Sequence, residues 1–292
     1  MVVLYFFIIA LMNVTGSNFN RRASRLIDGN SKLFHYLAYY NLVATVAGLI
    51  GVAAVGFYGF DTFTLLCSIS LGVLLVIDQF AKLFTVRVCT LPLMTTFSTA
   101  GTIIPCIVGV FLFNEPMSVW QWIGIAAFIL AAFLMISGSK ASFGKITLKS
   151  FLLLFVMFVC AGVEALVQKL FAVKKPDGNV FLFSMLSFAV NAVLLYGVTL
   201  FSAIGKKDTL RLLDKKLYAY GAVLAISLLV VSTLVTIIAR TVPSGVLFPI
   251  TSTLSFAASM AVGAIAFKEK ITVQNVTGMA LAIGAIVIIS LL

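Results

Sequence analysis

The chain has 292 residues, 62% of them hydrophobic and 10% charged, with a mean hydropathy of +1.18. A water-soluble fold of this size cannot hide so much apolar surface, so the composition excludes a soluble globular domain and implies an integral membrane protein. The net charge of +11 does not point to nucleic acid, because the Lys and Arg residues lie in short loops between apolar runs and belong to the lipid interface.

Apolar runs reach about 20 residues, the length a helix needs to cross roughly 30 Å of hydrocarbon and about twice that of a barrel strand. The pattern predicts ten spans, at 2–20, 33–56, 62–86, 90–113, 118–138, 149–172, 179–203, 217–239, 243–267 and 272–292. The first follows Met1 directly with Val2-Val3-Leu4, without a basic n-region or a cleavage site, and reads as a mature helix rather than a secretory signal. It carries Gly16-Ser17-Asn18-Phe19. The second opens on His35-Tyr36 and continues Tyr39-Tyr40-Asn41. These aromatics fit either a cage for an organic cation or an interfacial belt. His35 is the sole histidine, and one His makes no metal site.

An ionised side chain in hydrocarbon costs about 2.5–3.5 kcal/mol on insertion scales, so each one within a span is a functional candidate. Two carboxylates qualify: Asp78 in the third span and Glu164 near the middle of the sixth. Lys82 is the i+4 neighbour of Asp78, and the two also fit a snorkelling ion pair. Glu164 lies in Ala161-Gly162-Val163-Glu164, whose Gly permits close approach or local unwinding. Gln168, one turn on, extends the polar stripe. A carboxyl that takes up and releases a proton inside the membrane is what proton coupling requires, whereas a neutral Glu satisfied by nearby hydroxyls is the plainer account.

The fourth span holds Thr95, Thr96, Ser98 and Thr99, with Pro105 nearby, and the ninth holds Thr251, Ser252, Thr253 and Ser255, with Pro249 nearby. Hydroxyl clusters of this kind either glue helices together or coordinate a ligand. Gly124, Ala127 and Ala131 in the fifth span allow close helix contact within a monomer or across a homodimer. Cys67, Cys89, Cys106 and Cys160 lack the spacing of a zinc or redox motif and read as small core hydrophobes. No cofactor is implied.

A repeat organises the spans. Phe113-Asn114-Glu115 returns 154 positions later as Phe267-Lys268-Glu269. At the same offset Leu93, Ser98, Val108, Gly109, Val119, Gly124 and Ala126 match Leu247, Ser252, Val262, Gly263, Val273, Gly278 and Ala280. The chain therefore divides into a first five-helix half at 1–138, a linker at 139–148 and a second half at 149–292. Pairing the first and sixth spans sets Asn18 opposite Glu164 across the pseudo-symmetry axis. Repeated halves around a midplane site are a recurring plan of secondary transporters.

The odd-numbered loops hold 16 of the 20 Lys and Arg, and the even loops hold Lys169, Lys174, Lys175 and Arg240. That bias predicts cytoplasmic odd loops and both termini outside, in a cell-membrane protein.

An apolar helix that ends in Phe113-Asn114-Glu115, followed by a turn and then Gln121 and Gly124, recurs in the second half. Together with Gly16-Ser17-Asn18-Phe19, where Thr15 stands in the place of the usual Trp, this resembles the EamA-type ten-helix proteins of the drug/metabolite transporter superfamily, over essentially the whole length. The resemblance implies an all-α fold of two inverted five-helix repeats around a central cavity, and transport of a small molecule without fixing which. It also implies both termini inside, against the charge bias, which is followed here because it is read from this chain's own loops.

Glu115 and Glu269 read as structural, each standing before a helix start where a carboxylate complements exposed N–H groups. Pairing with a Lys or Arg to lock a gate is the alternative. Ser118 with Gln121 fits a capping box, and Thr272 with Asn275 a weaker one. No nucleotide-binding Gly-rich loop and no catalytic pair accompany these groups, so an enzyme is not expected. The expected function is secondary active transport of a small polar or cationic organic molecule by alternating access, coupled to protons through Glu164. A lipid-linked sugar translocase or an accessory subunit of the same fold is the alternative. Asp78, Ser17, Asn18, Tyr39, Tyr40, Thr96, Thr99, Gln168 and Ser252 are the further site candidates, and Gly124 and Gly278 are structural.

Overall fold

The computed structural model describes residues 2–85, 91–115, 118–138, 147–203 and 213–267, and positions 273, 276–278, 280–281, 284–285 and 288. Among these, every regular element is an α-helix: α1 (Val2–Ser24), α2 (Asn30–Val55), α3 (Thr62–Thr85), α4 (Leu91–Ala100), α5 (Ile103–Leu112), α6 (Val119–Gly138), α7 (Leu148–Lys174), α8 (Val180–Ala203), α9 (Lys215–Ile238) and α10 (Ser244–Phe267). Among the described residues six helices, α1, α2, α3, α7, α8 and α9, are long and apolar enough to cross a bilayer. This is an all-helical protein suited to a membrane.

Helix ends depart from the sequence expectation for local reasons. α1 runs four residues past its predicted end and brings Arg21 and Arg22 into its last turn, where cations complement the dipole. The predicted fourth span is not one helix but two, α4 and α5, separated at Gly101-Thr102. There the backbone ladder tightens from i−4 to i−3: Thr102 N–H donates to Thr99 O at 3.1 Å and Ile104 N–H to Gly101 O at 3.0 Å. The Thr102 hydroxyl reinforces the break with a 2.7 Å bond to Thr99 O. The local unwinding allowed for at Gly162 does not occur, since α7 is continuous through it, as α1 is through Gly16. Lys169, counted with the even loops, lies inside α7 and is 2% exposed.

The chain forms two compact units, Met1–Val76 with Lys174–Ile237, and Ile77–Val173 with Ile238–Leu292. Each takes residues from both sequence halves.

In the first unit α2 lies along α8. The contact is backbone-close because Gly48 and Gly51 have no Cβ: one added at Gly48 would stand 2.9 Å from Met185 Cβ, and one at Gly51 would strike the Phe181 ring. The core beside this seam holds Tyr36, Tyr40, Ala44, Phe188, Leu217 and Leu224. At one end Asp61 caps α3 by accepting Thr64 N–H at 2.8 Å and pairs with Lys175. Asn179 likewise caps α8, accepting Leu182 N–H at 3.1 Å and donating to Gly56 O at 2.8 Å. The 56–61 and 175–179 loops are thus joined.

In the second unit the end of α3, α4 and α7 share a core of Ala81, Met94, Leu154 and Met157, with Phe97 against it. Gly101 and Gly162 let the α4–α5 break press on α7. A Cβ on Gly101 would overlap Phe158 O, and one on Gly162 would lie 2.5 Å from both Gly101 O and Ile104 Cδ1. The break is therefore wedged against α7 one half-turn before Glu164.

Candidate functional site

Packing of α3 on α7 brings together the two carboxylates singled out from the sequence. Asp78, 3% exposed, is paired with Lys82 one turn later on α3. Glu164 on α7 lies within electrostatic reach of both, and Cys160, one turn before it, shares the same surroundings. Among the described residues, Asp78 Oδ1, Glu164 Oε1 and Gln79 Oε1 are all buried acceptors with no hydrogen-bond partner. Lys82 keeps 45% of its side chain accessible against 4% for Asp78, while its ammonium is held on the Asp78 carboxylate. Two carboxylates facing one ammonium leave unmatched negative charge, which a proton or an organic cation neutralises. Asp78 thus forms the i+4 pair with Lys82 that the sequence allowed, with its carboxylate buried in the unit.

The remaining candidates do other work. In α1, a Cβ on Gly16 would stand 3.3 Å from Ser227 Cβ, so this glycine serves the approach of α9. Asn18 accepts a 3.1 Å bond from Arg22 Nε, Phe19 tilts against Tyr220 at 5.4 Å, and Ser17 is half-buried with a partner of its own. Tyr36 meets Tyr40 edge-on at 5.6 Å and Tyr39 meets Tyr218 at 4.9 Å, which makes these rings core packing of the first unit rather than an interfacial belt. Thr99 supplies a carbonyl to the α4–α5 break. Ser252 is half-buried on α10, while Thr251 and Ser255 bond back to their own helix. Gln168 is half-buried on α7, and Gly124 and Gly278 are buried. The side chains of Thr95, Thr96 and Gln121 lie outside the described residues, as do Cys89, Glu269, Thr272 and Asn275.

A second charged constellation joins helix ends in the same unit. Asn114 adopts the left-handed conformation (φ 51°), which Asn tolerates, and turns the chain so that Glu115 points back over α5. Glu115 does not cap the helix it precedes. It accepts the first N–H of α10, from Ser244, at 2.8 Å, and pairs with Lys169 Nζ at 2.6 Å. Lys169 also donates to Val242 O at 2.8 Å and lies 6.0 Å from the Phe113 ring centroid. Glu115 thus serves a helix start, though one far along the chain, and also pairs with a Lys, so features of both readings of this residue are present. The sequence held a signal for its partner: with α7 running to Lys174, a lysine at 169 falls well inside an apolar span.

The chain is similar to a protein known from a solved structure described no further than as a crystal structure of protein, with a TM-score of 0.74, 13% identity and coverage of 99% of this chain and 96% of that one. This similarity establishes a shared fold. No family model and no curated protein matches the sequence.

Proposed function

We propose that the chain is a secondary transporter of the plan it resembles, with ten spans in two inverted five-helix repeats, which moves a small polar or cationic organic molecule across the cell membrane in exchange for protons. The observation that carries this reading is the cluster of Asp78, Lys82 and Glu164 on apolar helices, with two carboxylate oxygens left without donors. Buried ionisable groups in membrane spans mark substrate and proton paths because nothing else recovers their cost. The internal repeat supports the same reading.

In the mechanism, Lys82 holds Asp78 and leaves Glu164 as the group that alternates between a proton and a substrate cation. Neutralising Glu164 permits the cluster to face the other side of the membrane, and releasing the proton there restores the empty site. The Lys and Arg bias sets the odd loops in the cytoplasm and both termini outside, which a fusion reporter at Leu292 checks.

Glu164→Gln tests the reading. Purified and reconstituted in proteoliposomes, this variant is expected to fold and to lose movement driven by a pH gradient. If it moves substrate with the pH dependence of the parent, Glu164 is a packing residue and the transporter mechanism falls. The substrate class follows from a thermal-shift screen against amines, amino acids and nucleosides, since a ligand at 100 times its dissociation constant stabilises by about 2.7 kcal/mol.

A further inference from the structure

Glu115 occupies its place as a ligand occupies a receptor. One carboxylate oxygen receives the Lys169 ammonium at 2.6 Å and the other receives the Ser244 backbone N–H at 2.8 Å. Lys169 is 3% exposed by side chain and stays in place without Glu115, because it also donates to Val242 O. Ser244 is fully buried, and among the described residues its hydroxyl oxygen has no partner although it stands beside the carboxylate. Gly109 makes the room: a Cβ there would lie 2.8 Å from Ser244 Oγ and 2.9 Å from Glu115 Oε2. A buried ammonium, the N-terminal N–H of a 24-residue helix and an unused hydroxyl on one spot are the donors an anion site requires.

We propose that Lys169, Ser244 and Gly109 form a receptor for a small carboxylate and that Glu115 is its tethered occupant. The chemistry selects a planar, two-oxygen monoanion, because the two charged or polar donors lie on separate oxygens and a single chloride ion does not serve both in the same way. The site is distinct from the Asp78–Lys82–Glu164 cluster and does not depend on the transport reading. Its consequence is a latch that exchanges. Glu115 binds the chain just past α5 to α7 and to the start of α10, and a free carboxylate takes the seat whenever Glu115 leaves it.

The test uses the full chain in detergent, with thermal unfolding followed in sodium formate, in sodium acetate and in sodium chloride of equal ionic strength. Glu115→Gly and Glu115→Ala open the seat. Both are expected to unfold at lower temperature than the parent in chloride and to regain stability in formate or acetate with a saturating dose dependence. The parent, already filled, is expected to show no such rise. Lys169→Met in the Glu115→Gly background removes the ammonium and is expected to abolish the response. Gly109→Ala, which fills the seat with a methyl group, is expected to be destabilised and unresponsive. The proposal is overturned if formate and chloride act alike on both Glu115 variants, if the response survives Lys169→Met, if Gly109→Ala responds, or if neither Glu115 variant is recovered folded even in formate.

Discussion

Substituting Gly162 by Ala probes the wedge that sets α7 against the α4–α5 break. The new Cβ would stand 2.5 Å from Gly101 O and from Ile104 Cδ1, and 2.7 Å from Ile104 Cβ, where ordinary contact begins near 3.4 Å. Rotation of Ile104 moves its Cδ1 but not its Cβ, and Gly101 O is backbone, so α7 and the break must separate by roughly 0.9 Å. Overpacking of this kind costs about 1–3 kcal/mol. Here the upper part of that range applies, because one of the two obstacles is a carbonyl that no rotamer moves. Ala in place of Gly within a helix returns about 1 kcal/mol, which leaves a net loss of about 1–2 kcal/mol. Gly197 on α8 is the control: nothing lies within 4 Å of a Cβ there, so Gly197→Ala is expected to stabilise by about 0.5–1 kcal/mol. Chemical unfolding of both variants in one detergent measures the difference, which should reach about 1.5–3 kcal/mol. Equal stability of the two would show that the Gly101–Gly162 approach is slack and refute the argument.

Breaking the Glu115–Lys169 pair from one side leaves a buried charge unmatched, which costs about 3–5 kcal/mol; with Glu115 14% exposed, Lys169→Met should fall at the lower end. Adding Glu115→Gln, whose amide oxygen still accepts Ser244 N–H, should recover part of that loss, and strict additivity in the double-mutant cycle would contradict the pairing. Asp61 gives a pH dependence: the bond from Lys175, with the hydroxyl and N–H of Thr64, holds its carboxyl well below the ordinary carboxylate range. A depressed folded pKa contributes stability that is complete above the unfolded value and lost as pH falls below it. Asp61→Asn should therefore lower stability at neutral pH and flatten the acid limb of the profile below about pH 4, with the acid end itself little changed; an unaltered acid limb would remove Asp61 from the account.

Composition alone gave the membrane class, because no soluble packing hides 62% hydrophobic residues, and apolar run length located the helices since hydrocarbon thickness fixes that length. Asp78 and Glu164 were legible for the same reason: a carboxylate in an apolar run has no cheap explanation. What was not legible depends on tertiary contact. Pro105 has no N–H to offer Gly101 O and so weakens the helix there, but Pro249 stands the same way to Gly245 inside an unbroken α10, so the proline alone does not place the break. The helix that Glu115 caps begins 129 residues away, beyond any capping pattern. Tyr36, Tyr39 and Tyr40 fit a cage and a belt equally well until the rings of α9 are seen packed against them.

The two charged groups of the second unit invite one distinction that stability measurements can decide. Both are ionisable and both sit on α7 partners, yet their hydrogen bonding is opposite. Each Glu115 oxygen has a donor, and its Lys169 partner has a second acceptor, so the set is complete and charge removal forfeits interactions. Glu164 Oε1 and Asp78 Oδ1 have none, so Glu164 keeps its place at a cost to folding, as groups retained for function do. Glu164→Gln should therefore leave stability unchanged or raise it while transport is lost, and Glu115→Gln, which leaves the buried Lys169 charge unmatched, should lower stability by about 3–5 kcal/mol. Unfolding of the two variants side by side in detergent measures this. Should Glu164→Gln lose as much stability as Glu115→Gln, the acidic cluster is a structural element like the latch, and the physical reason for assigning it to transport disappears.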